Sequence, residues 1–306
     1  MNPEIGLLVM PTPRSGNPVE RMMSANELLL TAAPTHGLTA LFVDHFQFGN
    51  RPYLECMAQL PHVAGRFPGM RVGTLVIGQG YRNRALTAKS AATLQLLTDG
   101  NFILAIGAGW KEDEYIAYGY LFPPAKQRLD ELDEAVQIIT RLWSESEVTL
   151  KGNYHRVFAA TCEPRPNPKP ILMIGGGGEK RTLRIAAEHA EWPNIDSARP
   201  ELFAQKLARL KTYCEAIGRD PKSIVPSYFG IVSISDDPSR VVRTPPPIFP
   251  PTMFIIAGSP NEVTEKLQEL ASLGARHLQL QFLDYPETTG VELFLSDVLP
   301  RFQEAK

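Results

Sequence analysis

Residues 171–190 read ILMIGGGGEKRTLRIAAEHA, an apolar run that ends in four glycines and opens into a stretch patterned for a helix. A β-prone run without polar alternation needs both faces of its strand covered, and the segment after it repeats its apolar residues at helical spacing. The unit recurs along the chain. Apolar runs at Ile5–Met10, Ala40–Phe46, Arg71–Gly78, Phe102–Gly107, Ile171–Ile174, Trp192–Ile195, Tyr228–Ser235 and His277–Leu283 predict eight strands. Between them, Lys126–Trp143 is the clearest helix: Leu129, Leu132, Ala135, Val136, Ile139, Leu142 and Trp143 recur every three or four residues, and Asp130, Glu131, Asp133 and Glu134 fall elsewhere. Further helices fit Arg84–Leu97, Glu179–Ala190, Glu201–Ile217 and Val291–Phe302. Ser24 with Glu27, and Ser259 with Glu262 behind Pro260, have capping-box spacing and predict helix starts near 25 and 260.

Strands covered on both faces and alternating with helices make an α/β protein with a parallel sheet, and eight such units in a chain of 306 residues predict a (β/α)8 TIM barrel as one domain over 1–306. The surplus residues fall in three connections: 110–124, 144–169 with a small hairpin at Val148–His155, and 236–257 with a short accessory strand at Phe254–Ala257. The first and third follow strands, which makes them insertions at the C-terminal mouth, where barrels of this kind keep their chemistry.

Composition excludes several classes. With 31 Lys+Arg against 33 Asp+Glu the net charge is −2, which leaves no basic footprint for nucleic acid. No segment has the length and apolarity of a membrane span, and the first residues lack a signal-peptide pattern, so a cytoplasmic protein with no membrane partner is expected. Cys56, Cys162 and Cys214 are widely spaced and predict buried thiols. No metal site is expected, because no H-E-x-x-H or close ligand set occurs. A nucleophile elbow G-x-S-x-G is absent too.

Several strand ends carry residues that can do chemistry. Asp44-His45 closes the second strand, and a carboxylate beside an imidazole is a reasonable acid/base unit, although a satisfied structural histidine fits the same position. Gly175, Gly176, Gly177 and Gly178 join a strand to a helix, where glycines let backbone N–H groups approach an anion at the positive helix end. The run satisfies neither the Walker pattern nor G-x-G-x-x-G. A tight βα turn needs fewer glycines, so phosphate binding is the favoured reading. After the fourth strand, Ala108 and Gly109 could let a flat ring lie against backbone, with Trp110 as a wall and Asp113 as a hydrogen-bonding partner. The acidic run Glu112, Asp113, Glu114 alone reads more often as a solvated loop. Thr74 to Gly78, then Tyr81-Arg82-Asn83, end the third strand at the same mouth, where a core strand and a turn fit as well.

In order and spacing, these blocks resemble the luciferase-like monooxygenase superfamily, bacterial luciferase-like barrels, and within it the branch that uses the deazaflavin coenzyme F420. The matching stretches are VDHF at 43–46, GTLV at 73–76, YRNRALTAKSAATLQLLTDGNFILAIGAGWKEDEYIAYG at 81–119, FPPAKQRLDELDEAVQIITRLW at 122–143 and ILMIGGGGEKRTLRIAAEHA at 171–190. The resemblance implies a TIM barrel, commonly a homodimer, with a flavin or deazaflavin at its mouth. It puts Asp44 and His45 near the reactive ring carbon as catalytic residues. Leu75 and Val76 would form a bulge behind the ring, often with a non-prolyl cis peptide. With Gly78, Ala108, Gly109 and Asp113 they would line the cofactor, and Gly175 to Gly178 with Arg181 would hold its phosphate. Tyr81 and Trp110 would border the substrate pocket. The chain departs from the family at Leu41-Phe42, where Trp is usual before Asp-His, and at AEWPN, residues 190–194. It also has Trp110 where the sugar-phosphate dehydrogenases of the branch place a catalytic Glu, so that substrate is not predicted. Residues 240–253 match nothing in the family and are read as a lid or a partly disordered loop.

The leading expectation is an oxidoreductase that passes a hydride between F420 and a small organic substrate, with His45 exchanging the proton and Asp44 orienting it. The alternative cofactor is FMN, in a monooxygenase using O2 and served by a separate flavin reductase. A non-catalytic flavin-binding protein is the third reading, against which the intact Asp44-His45 pair counts.

Overall fold

The computed structural model describes residues 3–13, 16–247 and 249–304. Eight strands, all paired in parallel, close into a ring: β1 (Glu4–Val9), β2 (Thr39–Phe42), β3 (Val72–Thr74) with its continuation β4 (Ile77–Gly78), β5 (Phe102–Gly107), β8 (Ile171–Gly175), β9 (Trp192–Asp196), β10 (Ser227–Ile234) and β12 (His277–Phe282), which returns to β1. Outside the ring, β6 (Val148–Lys151) and β7 (Arg156–Ala160) form the antiparallel hairpin expected in the connection 144–169. The accessory strand is β11 (Ile255–Gly258), which lies along β10 just beyond the stretch where β9 leaves it.

The helices are α1 (Val19–Thr35), α2 (Cys56–Arg66), α3 (Arg84–Leu97), α4 (Glu112–Ala117), α5 (Ala125–Leu142), α6 (Thr182–His189), α7 (Pro200–Ala216), α8 (Pro260–Ser272), α9 (Thr289–Leu293) and α10 (Leu299–Glu304), the last two joined by a π-helical turn. None is long and apolar enough to cross a membrane. The three cysteines are buried free thiols.

The two-residue period of the strands builds two cores at once. Leu8, Leu41, Ile103, Ala105, Met173 and Trp192 fill the barrel, while their neighbours Leu7, Ala40, Phe42, Leu104, Leu172 and Ile174 pack outward under the helices. On α5, Leu132, Val136, Ile139 and Leu142 are buried as the periodicity predicts, each contributing about 1.5–3 kcal/mol relative to exposure.

Two boundaries differ from expectation for identifiable reasons. The Ser24–Glu27 spacing is not a cap: α1 already runs from Val19, and the Ser24 hydroxyl donates to the Glu20 carbonyl one turn back. At the other predicted start, the Ser259–Glu262 box forms with both of its hydrogen bonds. Pro61 hid α2 from the sequence reading by breaking its pattern, yet Cys56, Leu60, Val63 and Ala64 still share a buried face, and the Glu55 carboxylate caps the helix through the Ala58 N–H. In the proline-rich stretch read as a lid or a partly disordered loop, Val241, Phe249 and Met253 pack on Ile231, Ile255 and Ala257; Ile248 lies outside the described residues.

Inside the barrel the Trp192 ring packs 4.7 Å from the ring of His277, so this departure from the family pattern fills core. Gln279 donates to Nδ1 of His277 at 2.8 Å and accepts from Asn194 at 2.6 Å. Burial, and secondarily the charge of Arg71, push the His277 pKa down from 6.5 to about 3. The folded protein therefore holds His277 neutral, while the unfolded chain takes up a proton below about pH 6.5. The stability this group contributes is complete above pH 6.5 and is lost as pH falls toward 3, on the order of 1 kcal/mol per unit. Urea unfolding at pH 7, 5.5 and 4.5 should show this slope, and His277→Asn should flatten it; an unchanged slope in the variant would assign acid sensitivity elsewhere.

Candidate active site

β2 ends at Phe42, and Asp44 and His45 follow it in irregular chain, each with partners of its own. Asp44 is buried and receives Arg82 in a bidentate pair, at 2.6 and 2.7 Å, and the Gly78 N–H at 3.2 Å. Arg82 also bridges to Glu55, the cap of α2, so the pair ties the second and third strand ends together. The expectation that Asp44 orients His45 is corrected: its oxygens are committed to Arg82 and Gly78.

The orienting carboxylate is Glu114, from α4. Its Oε2 lies 2.7 Å from His45 Nδ1 and accepts from the Tyr81 hydroxyl at 3.1 Å, while Oε1 accepts the N–H groups of Phe46 and Gln47. The Glu114 side chain is fully buried. Burial pushes its pKa up, but hydrogen bonds from His45 and the two backbone N–H groups outweigh this, leaving it below the ordinary glutamate value. An ionised Glu114 can only accept, so His45 carries a proton on Nδ1 and, when neutral, presents a lone pair on Nε2. Burial and the Glu114 charge push the Tyr81 pKa up, keeping it a phenol that donates. Nε2 of His45 has no partner among the described residues. Phe48, Tyr53 and Trp110 surround the ring edge-on, with centroids 4.9, 6.2 and 5.5 Å away.

The third strand, read as continuous, breaks between β3 and β4, and the Leu75–Val76 peptide at the break is cis, as the resemblance implied. Val76 projects toward two other strand ends. A methyl group at Gly175 would lie 2.6 Å from Val76 Cγ1, and one at Gly107 2.9 Å from Cγ2, so the bulge touches both. Leu75 is buried with the barrel interior. Gly109, at φ +80°, has a different neighbour: an added Cβ there would collide with the Tyr115 ring, which is buried against Gly78 and Gly80 as well. The flat ring that this small-residue stretch admits is thus in the first place the chain's own.

The glycine turn runs from β8 into α6, with the helix starting at Thr182 rather than Glu179. Arg181 does not stand free there. Its guanidinium pairs with Asp130 on α5 and donates to the Lys126 carbonyl, which corrects the expectation that it offers its charge to a phosphate. The cation at the turn is Lys206 of α7, whose Nζ lies where a Gly177 side chain would begin. Ala108 is half-buried. Trp110 is 65% exposed at the mouth. The Asp113 carboxylate is exposed and paired with Lys111, which lowers its pKa. A group able to bind metal, Asp133, Glu188 and His189, gathers between α5 and α6, where His189 already bonds Asp133 at 3.1 Å.

Sequence reasoning placed Glu114 and Arg82 near the mouth without giving either a role, and it missed Lys206 altogether. Glu114 had no signal that set it apart from Glu112 and Asp113, although it alone of the three is buried. Lys206, 29 positions past Gly177, had none.

A family model described as luciferase-like monooxygenase matches residues 4–249. F420-dependent glucose-6-phosphate dehydrogenase of Kineococcus radiotolerans is 27% identical over 307 aligned positions, covering 88% of this chain and 90% of its own. Among solved structures, an F420-dependent secondary alcohol dehydrogenase in complex with an F420-acetone adduct superposes with a TM-score of 0.80 at 19% identity, over 97% of this chain and 98% of that one. EDTA monooxygenase of Chelativorans sp. BNC1 superposes equally well, at 0.80 and 14% identity, over 99% and 94%. At such identities these structures speak for the fold alone.

Proposed function

The chain belongs to the luciferase-like monooxygenase family, and on that premise we propose that it is an oxidoreductase passing a hydride between the deazaflavin coenzyme F420 and a small organic substrate. The observation that carries this reading is His45, held at Nδ1 by buried Glu114 and left with Nε2 unpartnered among aromatic rings. A pure binding site has no use for a ring nitrogen whose protonation is so specified.

The residues fit a flat ring with an anionic end. The bulge at Leu75–Val76 meets the glycine turn, and that turn carries Lys206 without side chains of its own in the way. A deazaflavin bound there supplies the carbon that gives or takes hydride. Nε2 of His45 exchanges the accompanying proton with the substrate oxygen, and Glu114 keeps the imidazole in the tautomer that can do so. Asp44 acts through Arg82 and Gly78 to hold the strand ends in place. Trp110, Phe48 and Tyr53 wall the mouth and limit access of water.

Anaerobic titration with oxidised F420 and, separately, with reduced FMN tests the cofactor. Trp143 and Trp192 are buried and Trp110 is exposed, so quenching that disappears in Trp110→Phe reports the mouth. Micromolar binding of F420 with no comparable binding of FMN is the expected result. Preference for reduced FMN would replace hydride transfer with oxygen chemistry and call for a flavin reductase, and binding of neither would remove the cofactor reading.

A further inference from the structure

The strand that closes the ring ends in an amide with no structural task. On β12, His277, Gln279 and Gln281 share the inward face, because Leu278, Leu280 and Phe282 between them pack outward under the helices. The two deeper residues are engaged with each other and with Asn194. Gln281, one layer nearer the mouth, is half-buried, and its side chain has no hydrogen-bond partner among the described residues.

Its surroundings are apolar. Met10 and Val43, just past the ends of β1 and β2, and Phe229 on β10 are half-buried against the inner core, and Ile231, opposite Gln281 in register, packs with Phe249 and Met253. Only β1 separates β12 from β2, which His45 follows, so the two strand ends stand two spacings apart, roughly 10 Å, across Met10 and Val43. A purely apolar molecule covering Gln281 would take water from the amide and give nothing back, whereas one with a matching oxygen keeps the bond.

We propose that Gln281 is a specificity-determining residue of this site, and that it selects a ketone or secondary alcohol with an apolar body and a second oxygen function a few bonds from the reacting carbon. The assignment rests on the oxidoreductase reading above. The reacting oxygen meets Nε2 of His45, the apolar span lies over Met10 and Val43, and the Gln281 amide donates to the second oxygen. Asp44, Glu114 and Lys111 are already engaged by Arg82, His45 and Asp113, so a polyol or phosphate ester gains no partner from them.

The test uses the full-length protein and two ketones of equal chain length, methyl hexyl ketone and ethyl levulinate, of which the second carries an ester. With reduced F420 the ketone carbon gains the hydride, its oxygen gains a proton and the coenzyme leaves oxidised. Values of kcat/KM for both ketones are compared between the wild type and Gln281→Leu. Independently of turnover, the side-chain amide resonances of Gln281 in the 15N-labelled wild type, loaded with oxidised F420, are followed as each ketone is added. The expected result is that Gln281→Leu lowers the preference for ethyl levulinate over methyl hexyl ketone about three- to tenfold, and that only ethyl levulinate moves the amide resonances. A preference unaltered in the variant, or resonances indifferent to the ester, overturns the Gln281 assignment and leaves the oxidoreductase reading standing. Binding of F420 with neither ketone bound does the same. If F420 itself does not bind, both fall.

Discussion

Glu114→Gln is expected to leave the protein folded and to cut turnover about 10²- to 10⁴-fold. The substitution keeps the shape of the side chain. Its amide oxygen can still accept the N–H groups of Phe46 and Gln47, and its amide nitrogen takes the position facing His45 Nδ1 and the Tyr81 hydroxyl. A nitrogen there donates, so Nδ1 must accept and the proton moves to Nε2, leaving no lone pair toward the substrate. The tautomer change is readable from the 15N shifts of His45, which a purely structural role for Glu114 would not move. Glu114→Ala is the contrasting variant: it strands the ring N–H, the Tyr81 hydroxyl and two backbone N–H groups, and should cost about 3–5 kcal/mol in stability. Should Glu114→Gln turn over like the wild type with its histidine tautomer unchanged, Glu114 is no positioning residue.

His45→Ala carries the second large effect. Turnover is expected to fall about 10²- to 10⁴-fold, with cofactor affinity held close to that of the wild type because the glycine turn and Lys206 are untouched. Glu114 keeps three of its four donors, so the fold should survive the deletion. Added imidazole should restore part of the activity by filling the vacated space with a proton acceptor. Full turnover without His45 would remove the acid/base role and return the chain to the third reading, a protein that binds a flavin without acting on it.

Both predictions depend on a contact that crosses 69 positions of sequence, and this marks where sequence reading stops. The strands were legible because a barrel buries both of their faces, which leaves continuous apolar runs that little else produces. α5 was legible because one face meets the barrel and the other meets water. The glycine run was legible from turn chemistry, and the cis bulge through its likeness to a family. What pairs with what was not legible. Neighbours such as Asp44 and His45 look like partners in one dimension, but charged side chains take whichever opposite charge folding brings within reach. Asp44 went to Arg82, His45 to Glu114, Arg181 to Asp130, and Lys206 was left at the glycine turn.

The sequence by itself determined the barrel, its mouth and the presence of an imidazole there, since hydrophobic periodicity and turn chemistry are local and survive without a structure. Only the tertiary structure decided which carboxylate governs that imidazole and which cation stands at the glycine turn, because hydrogen bonds and ion pairs are made over a few ångströms in space between residues that the chain itself holds far apart.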